Sequence, residues 1–139
     1  MGKRKIKQED WYIKTTNELL TYNKNKRRIE LLEDKMEQIP GPTNKLVANY
    51  GGAVDVKQGL SAAEEIELYD LRGRVKNIEI ALKALTEKEL SLINLRFFEK
   101  HRDIIIYQMD QPMAATTYYK YLNEAVKTIA EILGILKKN

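Results

Sequence analysis

The sequence predicts an all-α chain, and three observations carry that expectation. Apolar residues recur at three- and four-residue steps over long stretches, the spacing of one helix face. Two Ser/Thr-x-x-Glu boxes stand just ahead of such stretches, where they mark helix starts. Glycine and proline number only seven and three among 139 residues, and they gather between Pro40 and Gly59.

The first element is a long helix from about Asp10 to Gln38, within an N-terminal segment 1–39. Leu19, Tyr22, Ile29, Leu32, Met36 and Ile39 form its apolar stripe. Lys26 interrupts the stripe, and its aliphatic stem can cover apolar surface while the charge stays in water. Pro40 stops the helix because it lacks an N–H and fixes φ. Trp11 and Tyr12, at the helix start, read as a packing anchor. Lys24, Lys26, Arg27 and Arg28 form the densest basic cluster, either a solvated face or a secondary phosphate contact.

Residues 40–60 read as a linker or an ordered loop. Gly51-Gly52 allows backbone angles other residues resist, and Leu46–Tyr50 has the character of a docked extended piece. A second helix, within 61–85, opens with the capping box Ser61-Ala62-Ala63-Glu64. Leu68, Leu71, Val75, Ile78, Leu82 and Leu85 then alternate steps of three and four, a heptad-like seam. Two uses of that seam stay open: packing on the chain's own first helix, or pairing with a second copy. The carboxylates Glu64, Glu65 and Glu67 read as a solvated face rather than acid–base machinery.

Thr86-Glu87-Lys88-Glu89 is a second capping box. It opens a C-terminal segment, 86–139, with Leu90, Ile93, Phe97 and Phe98 turned to a core. A short segment, His101 to Met109, carries Ile104-Ile105-Ile106. β-Branched residues favour strands, but the run is short and lies between helical signals, so a helix is expected. Asp110-Gln111-Pro112 is a turn. The last helix, about Ala114 to Leu136, has the core stripe Tyr118, Leu122, Ala125, Ile129, Leu133 and Leu136.

Helix, short helix, tight turn and longer helix is the order of a helix-turn-helix, whose second helix enters a major groove. If the stripe of the last helix faces a core, Thr116, Tyr119, Lys120, Asn123 and Lys127 face outward. Thr and Tyr hydroxyls donate to phosphates, Asn pairs bidentately with adenine, and Lys reaches guanine or phosphate. The helix start adds free N–H groups suited to a phosphate.

Charge and composition limit the remaining classes. The net charge is +4 and the pI about 9.1, a lean toward anionic partners. The excess sits mainly upstream. Ten Lys and Arg face seven Asp and Glu through Gln38, against eight and seven from Thr86 onward. The absence of cysteine excludes disulfides, thiolate metal sites and a cysteine nucleophile, and fits a reducing cytoplasm. His101 is the sole histidine and reads as a surface or helix-start residue without zinc spacing. No Gly-rich loop carries the Lys-Ser/Thr that cradles phosphates. No apolar run approaches the ~20 residues of a membrane helix, and no apolar signal segment follows the basic Met1–Lys7. Neither a catalytic set nor a cofactor site is expected.

The stretch LTEKELSLINLRFFEKHRDIIIYQMDQPMAATTYYKYLNEAVKTIAEILGI, Leu85 to Ile135, resembles region 4 of bacterial sigma factors. More closely, it resembles phage late-gene transcriptional activators of the RinA/ArpU type. The carriers are LTEKEL…LRFFE and TTYYKYLNEAVKTIAEILG, and the upstream order of elements is similar too. The resemblance implies a phage or prophage regulator in a bacterial cytoplasm that binds promoter DNA and engages host RNA polymerase. By position, Thr116, Thr117, Tyr119, Lys120 and Asn123 would contact bases and phosphates on a recognition helix spanning about 114–133. A homo-oligomer, most simply a dimer, is expected, with the seam Leu68, Leu71, Val75, Ile78 and Leu82 as candidate. Two other readings stand beside it: a phage small terminase subunit, and a helical protein-interaction module without DNA.

Overall fold

A computed structural model describes residues 9–37 and 59–137. The described residues are helical with connecting turns and contain no strand, as the spacing predicts. The expected loop 40–60 lies outside them except for Gly59 and Leu60, as does Ile39 of the first stripe.

Helix α1 spans Asp10–Glu37 and α2 spans Ala62–Leu82. α3 (Glu87–Ile93) is continued by a π-helical turn, Asn94–Phe98. α4 (Asp103–Ile105) is continued by a second π-helical turn, Ile106–Asp110. α5 spans Ala115–Ile132. Both capping boxes form. The Ser61 Oγ accepts from the Glu64 N–H while Glu64 Oε1 accepts from the Ser61 N–H, each at 3.1 Å. Thr86 and Glu89 repeat the exchange at 3.2 and 3.0 Å. Each box satisfies two of the donors a helix start leaves free.

The chain divides into two compact units. One comprises Met1–Asn23 with Arg74–Asn139, the other Lys24–Gly73. The larger unit holds the main core. Leu19, Tyr22, Ile78, Leu92, Ile93, Phe97, Ile106, Tyr118, Leu122, Ala125, Val126 and Ile129 form one buried cluster. Trp11, Tyr12, Val75, Leu82, Leu85 and Phe98 pack against it. α5 is its backbone: of the six expected core positions Tyr118, Leu122, Ala125 and Ile129 are buried, as are Val126 and Ala130, while Leu133 and Leu136 are half-buried. Gly134, in the left-handed region (φ 79°), ends the chain's last helix. Its N–H reaches the Glu131 carbonyl at 3.2 Å and the next N–H, of Ile135, reaches Ala130 at 2.9 Å. That pair of bonds satisfies carbonyls the helix end would leave bare.

The smaller unit buries Leu32 and Leu68 and is fastened by charge. Arg28 grips Glu67 with two parallel bonds of 2.8 Å, Arg72 pairs with Glu33, and Lys35 with Glu64. These bonds explain the carboxylate cluster. Lys35 holds the Glu64 carboxyl below its ordinary range, and Arg28 does the same for Glu67. Met36, expected in the apolar stripe of α1, is exposed, and Ile29 is only half-buried. In this unit ion pairs replace much of the apolar contact that the stripe anticipated.

Candidate nucleic-acid interface

α4, its π-helical turn, the connection Gln111–Ala114 and α5 follow one another as the sequence order predicts. The connection is pinned. The Gln111 N–H donates to the Ile106 carbonyl at 2.8 Å and the Met113 N–H to the Tyr107 carbonyl at 3.0 Å. The Gln111 side-chain amide donates to Ser91 Oγ, which ties the turn to α3. Four residues between two helices match the length of a helix-turn-helix turn.

Asp103, at the start of α4, is the polar hub beneath α5. It accepts the Tyr118 hydroxyl proton and the Arg96 Nε proton, the latter at 2.8 Å. Arg96 arrives from the π-helical turn after α3, so one carboxylate joins three elements. Burial of Tyr118 pushes its hydroxyl far above the ordinary tyrosine range, and the bond to Asp103 adds to the shift. Both effects favour the neutral hydroxyl, the form that donates to Asp103.

The outward residues of α5 fall into two groups. Thr116, Thr117, Lys120 and Lys127 are exposed on the outer face. Glu124 is exposed among them, so that face carries both signs of charge. Tyr119 and Asn123 sit on the flank. Both line an open cleft of about 330 Å³ together with Tyr12, Thr16, Arg96 and Asp103. The Tyr119 ring meets Tyr118 at 4.9 Å and Tyr107 at 6.2 Å, both edge-on. Burial, then the charge of Asp103, raises its hydroxyl pKa. Tyr119 is exposed, as expected of an outward residue, and its ring borders the cleft. Ala114, the residue just before α5, supplies no side-chain cap to the free N–H groups of the helix start.

Of the two uses left open for the α2 seam, packing within the chain takes up most of its residues. Ile78 is buried in the main core with Val75 and Leu82 packed on it, while Leu68 is buried in the smaller unit. Leu71 is half-buried. Of the basic cluster on α1, Arg28 is committed to Glu67 and the others are solvent-exposed.

Sequence reasoning did not single out Arg96 or Asp103, and it took Tyr12 only as the packing anchor that it also is. They stand far apart along the chain, and only packing brings them together. The one legible hint was the acidic Asp103 just ahead of an apolar run, a helix-start signal. His101 also has partners that the sequence did not show. Its Nδ1 lies 2.7 Å from Asp110 and its Nε2 3.4 Å from Glu99. No group of side chains able to hold a metal ion occurs among the described residues. No helix there is long and apolar enough to cross a membrane.

No family model, curated protein or solved structure matches this chain.

Proposed function

We propose that this chain is a sequence-specific duplex-DNA-binding regulator of transcription, of the phage late-gene activator kind, with α5 as its reading helix. The carrying observation is the division of α5: Tyr118, Leu122, Ala125 and Ile129 are buried while Thr116, Thr117, Lys120 and Lys127 are exposed. A reading helix needs this arrangement, since its apolar face must be spent on the fold before its polar face can enter a groove. The uncapped start at Ala114 supports the reading, because open N–H groups there suit a backbone phosphate.

In this reading Thr116 and Lys120 lie deepest, with Asn123 reaching a base edge from the flank. Thr117 and Lys127 touch phosphates. Tyr119 steadies the helix against Tyr107 and offers its hydroxyl at the groove wall. Glu124 disfavours indiscriminate phosphate attraction, so specificity rather than bulk charge would dominate. The reading assigns no catalysis, places the protein in a bacterial cytoplasm, and makes host RNA polymerase its second partner. A dimer would read two half-sites about one helical turn apart or a multiple of it.

The test is fluorescence-anisotropy titration onto duplex fragments surrounding the gene, at two salt concentrations. One fragment is expected to bind at least about 10³-fold more tightly than the rest, the lower end for specific recognition. Equal, weak binding to every fragment that vanishes with salt would reduce the contact to phosphate attraction and end the reading. A ring of many subunits in solution would favour a packaging subunit. Indifference to DNA at low salt would leave a helical interaction module.

A further inference from the structure

The cleft on the flank of α5 lies wholly within the larger unit. Buried Phe97 and Leu122 form its apolar floor. Two aromatic rings from separate helices line it, Tyr12 of α1 and Tyr119 of α5. A cation and a carboxylate sit side by side there, fixed by the 2.8 Å bond from Arg96 Nε to Asp103 Oδ1. The Arg96 guanidinium also rests over the Phe97 ring, 5.2 Å from its centroid. This polar pair keeps capacity for a further molecule. Among the described residues Arg96 gives the chain only its Nε–H, and a guanidinium has five N–H donors, so its terminal amino groups stay open. Asp103 accepts from Tyr118 and Arg96 on Oδ1, while Oδ2 takes neither bond. The Tyr119 hydroxyl interacts with the same carboxylate, which still has acceptor sites to spare. The Asn123 amide, exposed at the cleft, makes no hydrogen bond among the described residues.

We propose that this cleft binds a single guanine base, carried by a free nucleotide or by an unpaired strand, with Arg96 and Asp103 reading its edge and Tyr119 stacking on its ring. The opposite charges of the pair cancel, so the cleft does not favour a simple anion. It favours a flat, neutral molecule that presents an acceptor beside donors. Guanine has that edge: O6 accepts next to the N1–H and N2–H groups, which donate. Arg96 donates to O6, the pairing arginine makes with guanine in a DNA groove. Asp103 accepts from N1–H and N2–H, and the Asn123 amide serves the sugar or the remaining base edge. Aromatic rings add stacking that any base can use. The volume of about 330 Å³ is at the lower end for small-molecule sites, enough for one base with its sugar. The cleft shares Tyr119 and Asn123 with the proposed reading helix, but its test contains no duplex, so its failure leaves the duplex reading untouched.

Isothermal titration of the full chain tests this with GMP, IMP, AMP and ribose 5-phosphate. GMP is expected to bind at least about fivefold more tightly than AMP, the low end for one bidentate edge contact. IMP, which keeps O6 and N1–H but lacks the N2 amine, should fall between them, and ribose 5-phosphate should not bind. Tyr119→Ala should weaken GMP binding at least about fivefold, the low end for a base stacked on an aromatic ring, with unchanged helical circular dichroism. Asn123→Ala, at an exposed position, should weaken it too and decides the matter if Tyr119→Ala does not fold. A short oligothymidylate with one central guanine should bind more tightly than the same strand without it. If it also exceeds GMP, the base comes from a strand; if it does not, from a free nucleotide. Equal binding of GMP, AMP and ribose 5-phosphate overturns the proposal, since the contact is then with phosphate alone. So does the absence of binding by both GMP and the guanine-bearing strand at millimolar concentration, or GMP binding that the folded variants leave unchanged.

Discussion

The Tyr118 hydroxyl donates a hydrogen bond to Asp103 Oδ1, joining the buried face of α5 to the first residue of α4. This bond ties together the two helices of the candidate reading module. Tyr118 is fully buried, so its hydroxyl has no water to turn to. Tyr118→Phe is expected to destabilise the chain by about 1–2 kcal/mol, the range for a bond to a charged acceptor with some exposure. Urea denaturation followed by circular dichroism measures it. Asp103→Ala should cost more, because Arg96 loses its partner in the same step.

Ile129 lies at the centre of the same buried face with no exposure. Ile129→Ala removes three carbons from a filled core and should cost about 2–4 kcal/mol. Thr116→Ala, on the outer face of the same helix, should stay within about 0.5 kcal/mol of wild type. The contrast checks the orientation of α5 independently of any DNA. Equal losses at the two positions would mean that the helix is rotated from the arrangement described.

His101 couples stability to pH. The bond to Asp110 raises its pKa above the ordinary histidine value, and Glu99 adds to it. A raised folded-state pKa means that the protonated form is favoured in the native chain. The contribution is therefore fully present below the unfolded value of about 6.5 and is lost as pH rises through the folded value. The urea midpoint of wild type relative to His101→Gln should be higher at pH 5.5 than at pH 8.5. A difference independent of pH would show that Asp110 does not hold the proton on the ring.

Lys100 occupies the left-handed region at φ 59° in the turn between the π-helical turn Asn94–Phe98 and α4. That conformation costs a side-chain-bearing residue about 1–2 kcal/mol, partly offset by the chain freedom glycine loses on folding. Lys100→Gly should raise stability by about 0.5–1 kcal/mol, read as a shift in thermal midpoint.

Most of the helical layout was legible because its signals are local. The Ser61 and Thr86 boxes need only four adjacent residues, and both form. The stripe of α5 is periodic enough that four of its six expected core positions are buried, with Leu133 and Leu136 half-buried past the helix end. The β-branched run Ile104–Ile106 proved helical because its flanks outweighed its strand preference. What the sequence did not show depends on packing. The two π-helical turns need an i→i+5 bond that no composition signals. Met36 left the apolar stripe because α1 changes partners along its length, from an apolar core near Leu19 to ion pairs near Arg28 and Lys35. The bond from Arg96 to Asp103, and the cleft they share with Tyr12, exist only after folding. Tyr119 is exposed as its spacing predicts, but its edge-on packing on Tyr107 and its place at the cleft depend on α4, which spacing along α5 does not show.

The most direct test of the central claim compares wild type with Thr116→Ala/Lys120→Ala on duplex fragments from around the gene, by anisotropy at a fixed salt concentration. Both substituted residues are exposed, so the fold should survive, as circular dichroism can verify. If α5 reads DNA, wild type will prefer one fragment strongly, and the double variant will lose most of that preference while keeping weak binding to all fragments. A double variant with the same preference as wild type would contradict the assignment of α5 as the reading helix.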